Sequence, residues 1–159
     1  MSCQRILDHA LRPGDVVEQM FHVHLDPLPR LVSNARQFVA DHAPPLPTET
    51  RDALLLLTSE LVTNAVLHAR TPIEVGITVA ETSVLVTVHD LDLTRPEQQP
   101  YEPREGGWGL GLVAGLAEES ALEPHEEGGK TAWFRLPRGR LREVPDDIAA
   151  RPATAKDRP

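Results

Sequence analysis

Glu60, Asn64 and His68 recur every fourth residue in TETRDALLLLTSELVTNAVLHA, residues Thr48 to Ala69. At 100° per residue they form one narrow stripe on a helix, with Leu57 and Leu61 close beside it. A carboxylate and an amide flanked by leucines either face water or pair with something in a partly enclosed site. Ser59 and Thr63 adjoin the stripe and favour the wet alternative. Other residues with chemistry to offer are Asp90 at the end of a valine-rich run, the glycines of Gly107-Trp108-Gly109-Leu110-Gly111, Gly129-Lys130-Thr131, and the pair His22 and His24. The histidine pair has no Cys or acidic companion spaced to complete a metal site, and it reads as the polar face of a strand.

The element that must carry the stripe is a helix of about 22 residues, spanning roughly 33 Å without Gly or Pro. Pro44, Pro45 and Pro47 precede it, Thr48 can cap it, Glu49 suits the positive end of its dipole, and Pro72 stops it. Leu55, Val62 and Val66 are expected to face a sheet. Met20 to Asp26 alternates as a half-buried strand, with Phe21, Val23 and Leu25 on one side. Asp26 and Pro27 then open a helix through Leu28, Leu31, Val32, Ala35, Phe38 and Val39. Ile73–Ala80 and Ser83–Asp90 alternate as two strands joined by Glu81-Thr82, an antiparallel hairpin. Leu91 to Gly107 is a polar, proline-containing loop of the length found in lids and binding loops. A helix through Leu112, Val113, Leu116 and Ala117 follows the glycines. Ala121 to His125 and Thr131 to Leu136 read as strands about a Glu126-Glu127-Gly128-Gly129 turn. Residues 1–19 read as an arm, 20–137 as one domain and 138–159 as a flexible tail. The order predicts an α/β fold, a two-layer sandwich of one mixed sheet with helices on a single face.

The 159 residues suit one domain with a real core, and 24 acidic against 16 basic residues, a net charge of −8, disfavour nucleic acid or an anionic membrane as partner. A single cysteine, Cys3, excludes an intramolecular disulfide and fits a reducing compartment. No apolar run reaches a membrane span and no secretory core is present at the N-terminus, so a cytoplasmic location is expected.

Glycine clusters suggest nucleotides, but two common motifs fail. Gly107, Gly109 and Gly111 lack the dinucleotide spacing and do not directly follow a strand. Gly129-Lys130-Thr131 resembles the end of a phosphate-binding loop, yet Pro124 stands where its first glycine belongs and a strand pattern follows.

Taken in order, the stripe Glu60-Asn64-His68, Asp90, the variable segment closing on Gly107–Gly111, and Gly129-Lys130-Thr131 resemble the ATP-binding domain of the GHKL superfamily. That group contains gyrase, the heat-shock-90 chaperones, histidine kinases and mismatch-repair ATPases. The match covers about residues 20 to 137, and ELVTNAVLHA, GGWGLGLV and GGKTAWF look most like bacterial anti-sigma-factor serine/threonine kinases. The resemblance implies a Bergerat-type ATP-binding fold. Glu60 would take the proton from an attacking hydroxyl, and the Asn64 oxygen would ligate Mg²⁺ held by the phosphates of ATP. Asp90 would accept from the adenine amino group; alone it is equally a polar strand end. Gly107, Trp108, Gly109, Leu110 and Gly111 would line the phosphates, with Lys130 and Thr131 on the pocket floor. His68 would contact the ligand or be structural, and Arg104 would reach the γ-phosphate or be a solvated loop residue.

Two departures from the family pattern stand out. Asp92 replaces a small residue two positions after Asp90, and Trp108 is bulkier than is common there. The implied partners are a sigma factor, bound by a homodimer, and an anti-anti-sigma protein phosphorylated on serine. The alternative is a module of the same fold that binds a protein partner without phosphoryl transfer, which Asp92 favours and intact Glu60 and Asn64 disfavour. A third reading, a catalytic domain serving a separate histidine-bearing protein, would give an acid-labile product. The lack of a helical phospho-acceptor segment speaks against a complete histidine kinase.

Overall fold

The computed structural model describes residues 2–68, 71–90, 113 and 115–141. In chain order the elements are α1 (Ser2–Ala10), β1 (Val17–Leu25), α2 (Leu31–His42), α3 (Thr48–His68), β2 (Ile73–Ala80), β3 (Ser83–Asp90), β4 (Glu119–Pro124) and β5 (Lys130–Pro137). The strands form one sheet in the order β1-β2-β3-β5-β4. Val113, Gly115 and Leu116 are helical, and the start of that helix lies outside the described residues.

The hairpin expected from alternation is present, with Ile73 opposite Asp90 and Val79 opposite Val84. Ile73, Val75, Ile77 and Val79 join Val84, Val86, Val88, Phe134 and Leu136 in one buried layer beneath α2 and α3. α2 contributes Leu31, Ala35 and Val39, and α3 contributes Ala53, Leu54, Leu57, Leu61, Val62 and Ala65. The leucine side of the Glu60–Asn64 stripe is therefore the core side of α3, whereas Leu55 and Val66 are only partly buried. Expecting Leu55 and Val66 at the centre of the sheet-facing side rotated the helix too far.

Further expectations are corrected. All four strand pairings among the described residues are antiparallel, so the sheet is not mixed there. Helices do not keep to one face. Ile6, Leu7 and Ala10 of α1 cover Leu85 and Trp133, which alternation directs away from α2 and α3. Residues 1–19 are thus more than an irregular arm, and β1 begins at Val17 instead of Met20. The segment is also stitched down: Asp15 accepts from the Thr82 N–H at 2.8 Å, and Arg135 donates to the Ala10 carbonyl. Finally, α2 begins at Leu31, not Pro27. Pro29 disfavours helical backbone at Leu28, whose side chain is left exposed. Among the described residues no helix is long and apolar enough to cross a membrane.

Candidate functional site

α3 and the hairpin bring the first candidates to one end of the sheet. Four residues separate His68, the last residue of α3, from Ile73, and Ile73 lies opposite Asp90. The C-terminal half of α3 must therefore end where β3 ends. Glu60 and Asn64 are half-buried on its flank, beside fully buried Leu57 and Leu61. They sit at the rim of the helix–sheet interface, neither buried in the core nor fully solvated. His68 closes the helix; its side chain is outside what the structure describes.

Asp90 is 3% exposed. It follows Val86 and Val88 on the helix-facing side of β3, and a carboxylate there is costly unless it is paired. Lys130 is its neighbour on β5, with Nζ 3.8 Å from Oδ2. Gly129 makes the approach of the two strands possible. Its φ is +80°, and a Cβ there would lie 2.5 Å from the Asp90 carbonyl oxygen. His125 N–H donates to the Gly129 carbonyl at 2.9 Å and Gly128 N–H to the His125 carbonyl at 3.1 Å, closing the turn that delivers Gly129.

Thr131 does not join this group by its side chain. It is buried, opposite His89, and its hydroxyl lies 3.0 Å from His89 Nδ1 and 2.7 Å from His125 Nε2. One residue along each strand reverses the face, so Asp90 and Lys130 look toward α3, whereas His89 and Thr131 look toward the α1 side. The expected floor residue is therefore behind the floor. His89 and His125 had drawn no attention in the sequence; the signal for His89 was its place next to Asp90 in an alternating strand. Burial, then the charge of His125, holds the His89 ring below the ordinary histidine pKa, against opposing pulls from Glu74 and Asp90.

Arg104, Gly107, Trp108, Gly109, Leu110, Gly111 and Asp92 lie outside the described residues. What is described can accept a hydrogen bond from a ligand amine at Asp90, accept a proton at Glu60, and offer the Asn64 amide oxygen to a hard cation. Among the described residues no group of three or more His, Cys, Asp or Glu could hold a metal ion.

Residues 25–136 match the model of the histidine kinase-like ATPase domain. The fold is similar to a crystal structure of the RsbU and RsbW domains of Rv1364c from Mycobacterium tuberculosis, with a TM-score of 0.55 and 23% identity. The similarity covers 78% of this chain and 33% of that one, so the chain spans about a third of the solved protein's length. No curated protein matches the sequence.

Proposed function

The chain belongs to the histidine kinase-like ATPase domain family, and from that premise we propose that it binds ATP with Mg²⁺ and acts as a protein serine/threonine kinase of the anti-sigma type. Its substrate is a serine of a small anti-anti-sigma protein, and as a homodimer it holds a sigma factor. The carrying observation is the buried Asp90 carboxylate at the sheet end where α3 brings half-buried Glu60 and Asn64. When bound, Mg-ATP supplies the phosphoryl group and the cation that offsets its charge. The chain's own residues orient and move a proton. Asp90 accepts from the exocyclic amine of adenine, and a base presenting a carbonyl at that point would set two acceptors against each other. Asn64 offers an oxygen to the metal, and Glu60 takes the proton of the attacking serine hydroxyl.

Incubation of the purified chain with labelled ATP, Mg²⁺ and the candidate antagonist protein tests this directly. Transfer is expected from the wild type, with a loss of about a hundredfold or more in Glu60→Ala and weaker Mg-ATP binding in Asn64→Ala. The carboxylate of Asp92 supports a second reading, a module that binds its partner without transfer. Binding of ATP with no transfer to any antagonist would establish that reading and remove the kinase.

A further inference from the structure

The bridge behind the Asp90 rung has no part in the function above. His89 Nδ1 and His125 Nε2 meet on one oxygen, the Thr131 hydroxyl, and their rings stand edge to face with centroids 5.0 Å apart. A hydroxyl carries one proton, so it satisfies two ring nitrogens in full only when one donates to it and the other accepts from it. That condition holds with both rings neutral or with one charged. With both charged, each nitrogen donates, the threonine proton loses its acceptor, and two cations face each other across a half-buried gap.

The same strands carry Asp90. His89 precedes it on β3, Thr131 follows Lys130 on β5, and His125 opens the turn whose Gly129 touches the Asp90 backbone. The charged neighbours are few on each side. Glu74 on β2 lies opposite His89 and is itself within reach of His22 and His24 on β1. Glu123 on β4 faces His125 and is held by His9 of α1 and the Trp133 indole N–H. The Lys130 backbone also bonds the His89 ring.

We propose that His89 and His125, acting through Thr131, are positioning residues that hold the Asp90–Gly129 end in register for the base, and that they release it when the pair takes up a second proton. The inference rests on the reading of Asp90 as the adenine contact. Nucleotide affinity then falls with acid in a way set by the bridge, beyond the titration of the nucleotide's own phosphates.

Two measurements on the full chain test it. Histidine ring resonances followed by NMR from about pH 8 to about pH 5.5 should show the His89 titration change in His125→Gln, as expected of two rings that share one hydroxyl. Binding of a fluorescent ADP analogue over the same range should weaken by about fivefold in the wild type relative to His125→Gln, whose amide can still donate to Thr131. Thr131→Val should uncouple the rings, and Thr131→Ser should restore the wild-type profile. If Asp90→Asn binds the analogue as tightly as the wild type, the adenine site is misplaced and this inference falls with it, whatever the rings do. If Asp90→Asn weakens binding but His125→Gln keeps the wild-type pH profile, the site stands and the positioning role is overturned.

Discussion

Replacing Gly129 by alanine tests the contact on which the Asp90 rung depends. Two costs combine. At φ +80° an L side chain is strained, by about 1–2 kcal/mol. The new Cβ would also stand 2.5 Å from the Asp90 carbonyl oxygen, against the roughly 3.3 Å that carbon and oxygen keep. The obstacle is backbone of a strand paired on both sides, β2 and β5, so no rotamer change relieves it. Overpacking of this kind costs about 1–3 kcal/mol, giving a total of about 2–5 kcal/mol. Gly14 supplies the control, since its φ is +82° and a Cβ added there would meet nothing within 4 Å. Gly14→Ala should therefore show the strain alone, about 1–2 kcal/mol. Urea denaturation of both variants, with the slope unchanged from wild type, measures the difference. Adenine-nucleotide affinity should fall in Gly129→Ala and hold in Gly14→Ala. Equal destabilisation of the two variants would refute the close approach, and an unchanged affinity in Gly129→Ala would separate it from the site.

Two other perturbations probe the opposite face of the sheet. Arg135, 7% exposed, donates to the Ala10 carbonyl, Glu118 and Glu119, so Arg135→Ala should cost about 3 kcal/mol by chemical denaturation and Arg135→Met markedly less, because both lose the donors to the Ala10 carbonyl and to part-buried Glu118, which keeps Arg12, but only alanine leaves the space empty. The pH profile of stability should fall in two windows on acidification. The His89 pKa is lowered in the fold, so the unfolded chain binds more protons; its contribution is full above about pH 6.5 and is lost as pH falls below that value. Burial alone would raise Glu118 and Asp15, but hydrogen bonds from Arg12 and Arg135 to the first, and from Ser83 and Thr82 to the second, outweigh it and lower both. Their contribution is present above about pH 4.3 and drains away below it. Urea midpoints at stepped pH should show the upper fall vanish in His89→Gln while the lower one persists.

The bounds of the hairpin and the span of α3 were legible from sequence, because their apolar runs end at turn residues and prolines; the burial of Asp90 was not, since alone it reads equally as a polar strand end. What failed has a common cause in the second covered face. β3 reads Val84-Leu85-Val86, and β5 reads Ala132-Trp133-Phe134, so apolar side chains point both ways and alternation no longer tells which face a neighbour takes. Thr131 could then be assigned to the wrong side of the floor, since shifting parity by one residue moves every side chain across the sheet. The same consecutive apolar residues were the trace of a cover on the α1 side. Leu85 and Trp133 are too large to leave in water on an otherwise alternating strand, and the segment with unassigned apolar residues at helical spacing is Ile6, Leu7, Ala10 and Leu11. Breaks in strand alternation thus call for a second packing partner, and that partner decides which of two adjacent residues, Lys130 or Thr131, looks toward α3.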